Sequence, residues 1–165
     1  MNAIKSVVVV VAVAAATGSV MPADTWAGSH DKGTGFMSIK ASAIKWSDAP
    51  SIGPGAKIAV LEGDLKAAAP FTMRIKIPPN LKIGVHTHPA TERVTVLSGT
   101  LYFATGDKYD AAKAQTYKRG DGFIVPVGMP MYGYTKKEES ILQIQGTGPW
   151  GIQYPDPTDD PRKKK

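Results

Sequence analysis

Two of the chain's three histidines, His86 and His88, stand one residue apart in the stretch HTHPATE, and Glu92 follows four residues after the second. In an extended strand, residues i and i+2 point to the same side. The two imidazoles therefore project together, with room for a cation between them. The segment Pro89 to Thr91 lets the chain turn and brings Glu92 in at the start of the next strand, in register with Val94 and Val96. If those valines face the interior, so does the carboxylate, and a buried carboxylate is costly unless it is paired or bound to a metal. One divalent transition metal on His86, His88 and Glu92 removes that cost and uses neutral imidazoles as ligands. The alternative is a pair of surface histidines beside a solvated glutamate. It is disfavoured because glutamate is so rarely buried unpaired. A set of two histidines and one carboxylate leaves coordination positions open for dioxygen and a chelating substrate, which suits non-haem Fe(II) oxygen chemistry.

These side chains need rigid elements to hold them. In FTMRIKI, Phe71, Met73, Ile75 and Ile77 alternate with Thr72, Arg74 and Lys76, the pattern of a half-buried strand. RVTVL, TLYFA, GFIVP, ESILQIQ and WGIQY are further strand candidates, each bounded by Gly, Pro or charge. SGT, Ser98 to Thr100, reads as the tight turn of a hairpin, and SDAPSIGPGA, Ser47 to Ala56, as a loop. DAAKAQ, Asp110 to Gln115, suits a turn or two of helix, and no long amphipathic helix is present. Many short strands at regular spacing predict an all-β sandwich or barrel. Tyr102 and Tyr132 are candidates that could line its pocket or donate a hydrogen bond there, although such tyrosines are more often barrel-wall residues. Gln143 and Gln145 share one face and would orient a ligand or a metal-bound water if that face is the lumen.

Ahead of the strands, Lys5 precedes an unbroken apolar run of ten residues, Val7 to Ala16, and small residues follow around Ala23 and Ala27. That order describes a secretory signal peptide, and the run is well short of the ~20 residues that span a bilayer. Residues 1–27 are read as the signal, 28–36 as a flexible leader containing His30, 37–161 as one domain and 162–165 as a basic tail. Export places the mature chain outside the cytoplasm, in a bacterial periplasm, with no membrane attachment after cleavage. The chain has no cysteine, so disulfides and thiolate chemistry are excluded. The net charge of +6 owes much to Arg162 through Lys165; elsewhere 16 basic residues face 14 acidic ones. A charge excess confined to a terminal tail does not make a nucleic-acid surface.

The stretch Asn80 to Gly99 resembles the first motif of the cupins, G-x5-H-x-H-x3–4-E-x6-G, through His86, His88, Glu92 and Gly99. Asn80 stands where the leading glycine is usual, and asparagine tolerates positive φ better than most residues. Gly120, Pro126 and Gly128 match the second motif, which departs at Met131 and Thr135 where the family has His and Asn. The ending GTGPWGIQYPDPTDDP is similar to small exported bacterial single-domain cupins, and the likeness runs from Met37 to Pro161. The resemblance implies a small β-barrel or jelly roll of two facing antiparallel sheets, with one Fe, Mn, Cu, Ni or Zn ion in its mouth and homodimers common. It implies either a metal-dependent enzyme, such as a dioxygenase, acting on a small molecule, or a binding protein that holds a metal or small ligand without turning it over. Met131 would then be a weak fourth ligand favouring copper or an apolar wall of the pocket.

Overall fold

Strands form where apolar residues alternate, and their inward sets meet between two sheets. The structure, a computed structural model, describes residues 29–30 and 36–164. The predicted signal peptide and most of the predicted leader lie outside the described residues. A small ladder pairs β1 (Ser29–His30) with β2 (Met37–Ser38). The six-stranded sheet runs in the order β10-β7-β12-β5-β4-β3 and the four-stranded sheet in the order β6-β11-β8-β9, and all the pairings are antiparallel. The first comprises β3 (Ser47–Asp48), β4 (Lys57–Glu62), β5 (Pro70–Ile77), β7 (Glu92–Ser98), β10 (Gly122–Val125) and β12 (Ser140–Thr147). The second comprises β6 (Lys82–His86), β8 (Thr100–Thr105), β9 (Gln115–Lys118) and β11 (Met131–Tyr134). The fold is the all-β jelly roll of two antiparallel sheets that the alternation and the resemblance predict.

Along β5 the four apolar positions of the pattern, Phe71, Met73, Ile75 and Ile77, are buried; Thr72 is buried too and donates its hydroxyl to Glu62. Along β7, Glu92, Val94 and Val96 are buried while Arg93 and Thr95 are exposed. Both sheets contribute to one core, in which Met73 and Val94 of the larger sheet join Ile83, Leu101 and Met131 of the smaller. Burying each such side chain is worth roughly 1.5–3 kcal/mol. Asp110 to Gln115 contains a single 3-10 turn, Ala111–Lys113.

Two expectations are corrected. Ser98 to Thr100 is not the turn of a hairpin, because β7 and β8 belong to different sheets. Gly99, at φ 72°, turns the chain from one sheet into the other, packed against the backbone of Glu139 and Ser140. WGIQY, Trp150 to Tyr154, is not a strand of either sheet. It makes one isolated bridge, Gln153 to Thr87, and its Gly and Pro neighbours leave no room for a longer ladder. Asn80 adopts φ 57°, the left-handed conformation its chemistry tolerates.

Candidate functional site

His86 closes β6, His88 lies two residues beyond, and Glu92 opens β7. All three are buried, at 7%, 5% and 3% exposure, and all three line a cavity of about 60 Å³ between the sheets. Alternation brings the histidine pair to one side, and the β7 register carries Glu92 inward with Val94 and Val96. The two imidazole rings stand edge to face with centroids 5.0 Å apart. Nε2 of His88 is 3.6 Å from Oε1 of Glu92.

Each imidazole is fixed by a backbone carbonyl. Nδ1 of His86 is 2.7 Å from the oxygen of Gly84, and Nδ1 of His88 is 2.7 Å from that of Gly151. A carbonyl only accepts, so Nδ1 carries the proton in both rings and Nε2 keeps its lone pair. Burial lowers His86 to a pKa of about 4, helped by repulsion from His88. Burial likewise lowers His88 to about 4, against the carbonyl contact that raises it. Both rings are therefore neutral at pH 7. Glu92 moves the other way, to about 7, because burial disfavours its charged form more than the Trp150 hydrogen bond favours it. Two basic nitrogens and a carboxylate on the verge of ionising, inside an apolar wall, make a donor set suited to a divalent cation. Among the described residues no group of three or more His, Asp or Glu side chains stands close enough together to hold a metal ion. Glu92 is instead engaged by the Trp150 indole, whose Nε1–H donates to its Oε1.

Sequence reasoning missed the segment that completes this site. After β12, Trp150 stacks on His88 with centroids 5.2 Å apart and planes 17° from parallel. Gly151 supplies the carbonyl that orients His88, and Tyr154 packs its ring 5.7 Å from His86. Thr87 and Gln153 exchange two backbone hydrogen bonds, and Asp159 accepts from the amide of Val85, so the strap lies along the free edge of β6. A Cβ at Gly84 would come within 2.5–2.7 Å of Asp159, so only glycine lets the strap come this close. The second motif acts on the first from the other side, since the amide of Gly128 donates to the carbonyl of His88.

The other predicted pocket residues are placed as follows. Met131 is 2% exposed and lines the cavity from β11, opposite His86 in the ladder. Tyr102, Tyr132, Gln143 and Gln145 do not line it: the tyrosines take the barrel-wall reading, and the glutamine face is the outer one rather than the lumen. The barrel interior is a continuation of the apolar core, so Leu101, Phe103, Leu142 and Ile144 take the inward positions and their polar neighbours go outside. Tyr102 stacks on Tyr134 on the outer face of its sheet. Tyr132 is fully buried there with Val85 and Ala104 and donates its hydroxyl to the carbonyl of Asp110. Gln143 accepts from Nε of Arg74 on the outer face of the other sheet, and Gln145 is exposed.

Two antiparallel sheets enclosing a histidine pair and a glutamate at one mouth define the class of double-sheet β-barrels with an interior polar site. Residues 62–148 match the cupin family model, and the chain belongs to the cupin family. A germin-like protein 8-6 of Oryza sativa subsp. japonica is 49% identical over 47 residues, which cover 27% of this chain and 21% of that relative. The chain therefore matches about a fifth of the length of that curated relative. The polyketide cyclase RemF from Streptomyces resistomycificus shares the fold at TM-score 0.63 and 15% identity, over 75% of this chain and 88% of its own. An RmlC-like cupin from Shewanella frigidimarina NCIMB 400 does so at TM-score 0.53 and 18% identity, over 66% and 87%. The DMSP lyase DddQ from Ruegeria pomeroyi DSS-3 follows at TM-score 0.52 and 17% identity, over 65% and 57%.

Proposed function

We propose that this cupin binds one divalent transition metal through His86, His88 and Glu92 and uses it to hold or transform a small molecule. The observation that supports this reading most is the pair of buried imidazoles, each tied at Nδ1 to a carbonyl, with Nε2 of His88 3.6 Å from the buried carboxylate of Glu92. Such second contacts fix ring orientation in metal-binding histidines. A metal in this setting supplies a Lewis acid with positions left open for dioxygen or a ligand atom. The chain's own contribution is to hold the imidazoles neutral, to keep Glu92 near its ionisation point, and to exclude water with an apolar wall. Met131 supports a three-donor site, since it sits among core side chains and thioether sulfur adds little to hard cations.

Metal analysis tests the reading. Wild-type protein should carry about one ion per chain, and the His86→Ala/His88→Ala variant, still folded by circular dichroism, should carry none. Equal metal content in the two proteins would overturn the reading.

An oxygenase or oxidoreductase is the enzymatic form of the proposal, supported by the open positions of a two-histidine, one-carboxylate set. A non-catalytic binder is the second form, supported by Met131 standing where the family pattern has a further histidine. We also propose export to the periplasm, supported by Lys5, the Val7 to Ala16 run and the small residues after it. The mass of the periplasmic protein should correspond to a start near Asp24 or Gly28; an intact Met1 in the cytoplasmic fraction would contradict it.

A further inference from the structure

The cavity's lining points to the kind of molecule it takes. Three of its 17 lining residues, His86, His88 and Glu92, are titratable, and none is lysine or arginine. The N–H groups nearest the cavity are already used. Both Nδ1 protons go to backbone carbonyls, and the Trp150 indole proton goes to Glu92. The rest of the wall is aliphatic or aromatic, with Ile75, Phe103, Met131 and Leu142 typical of it.

We propose that the cavity binds a small, uncharged, largely apolar molecule that presents a single oxygen or nitrogen atom to His86, His88 and Glu92. The proposal deepens the functional reading above, because it concerns the same three side chains, but it does not require the metal. A carboxylate or phosphate entering here sheds its water and finds no N–H or cationic group to replace it. Even with a cation on the three donors, the remaining anionic oxygens would face isoleucine and phenylalanine. An alcohol, ketone or amide has one polar atom to satisfy and an apolar remainder that matches the wall.

Size sharpens the class. A dry apolar cavity of about 150 Å³ accepts benzene, so about 60 Å³ accepts a few heavy atoms. Met131 bounds that space, and methionine is the most adaptable of the wall side chains. Trimming it should extend the limit to a single aromatic ring while leaving the preference for neutral ligands in place.

The test uses the full chain freed of metal by a chelator at neutral pH, with the Trp150 indole N–H followed by NMR and that of Trp46 as an internal reference. 1-Propanol should shift the Trp150 resonance in a saturable way in the millimolar range, and propionate should bind at least tenfold more weakly. In Met131→Ala, phenol should bind at least tenfold more tightly than it does to wild type, and benzoate should show no such gain. Propionate binding as tightly as 1-propanol would overturn the proposal, as would failure of every probe to move the Trp150 resonance in wild type. The wild-type arm needs no substitution, so a poorly folded variant cannot obscure the result. Because metal is absent throughout, failure here leaves the metal stoichiometry experiment standing.

Discussion

Glu92→Gln should stabilise the metal-free protein by about 3 kcal/mol at pH 8, and by less than about 1 kcal/mol at pH 5. The folded-state pKa of Glu92 is raised to about 7 from an ordinary value of 4.5. Between those values the folded chain keeps a proton that the unfolded chain has released, so stability falls as pH rises through the window. Each pH unit between the two values costs about 1.4 kcal/mol, and above the window the deficit is complete. Glutamine carries no charge and can still accept from the Trp150 indole, so the substitution removes the deficit and keeps the contact. The histidines act in the opposite direction. Their folded pKa values of about 4 lie below the ordinary 6.5, so stability is lost as pH falls through that interval. Glu92→Gln therefore leaves a protein whose remaining pH dependence is an acid-side loss set by His86 and His88. Urea denaturation at pH 5, 6, 7 and 8 checks this, and a difference from wild type that does not change with pH would refute it. In the proposed metal site the same substitution should lower metal affinity about 10-fold or more, because it replaces an anionic ligand by a neutral one.

Gly99→Ala should be among the most damaging single substitutions outside the site, costing more than about 4 kcal/mol. A Cβ at that position would lie 2.0 Å from the carbonyl oxygen of Glu139 and 2.9 Å from Cα of Ser140. Both are backbone atoms of the β12 entry, so no rotamer change relieves the contact. Positive φ adds a separate cost of about 1–2 kcal/mol for an L residue. Gly120→Ala isolates that smaller effect, since its φ is 93° and nothing lies within 4 Å of the added carbon. Chemical denaturation of the two variants should separate a steric collapse from simple backbone strain. Equal losses at Gly99 and Gly120 would show that crowding against Glu139 is not what demands glycine.

The inward positions of His86, His88 and Glu92 were legible because their placement depends on local rules. A period of two brings His86 and His88 to one side, and Glu92 shares parity with Val94 and Val96, which burial then turns inward. The outward positions of Tyr102, Gln143 and Gln145 follow from the same parity, once the lumen is understood as core rather than as a polar chamber. Phe103 and Ile144 take the inside and leave their neighbours outside. Trp150, Gly151 and Tyr154 were beyond such rules. They sit about 60 residues from the histidines in a stretch broken by glycine and proline, and nothing periodic ties them to the site. The signal that could have found them is an aromatic between a proline and a glycine, Pro149-Trp150-Gly151, whose backbone cannot be committed to a sheet. The turn at Ser98 to Thr100 failed for a related reason. A tight glycine turn is the same locally whether the next strand pairs with the last or crosses to the facing sheet, and only the packing of Gly99 on β12 distinguishes them.

The strap that runs from Trp150 to Asp159 follows every strand of both sheets in the order of synthesis. A growing chain can therefore assemble the whole barrel while His88 still lacks its carbonyl partner, Glu92 its indole, and His86 the ring of Tyr154. In chain order the scaffold and the strap are thus separable, since every strand precedes the residues that orient His88, Glu92 and His86. A chain ending at Thr147 would keep every strand of both sheets yet lack the Gly151 carbonyl, the Trp150 indole and the Tyr154 ring that fix the three buried side chains.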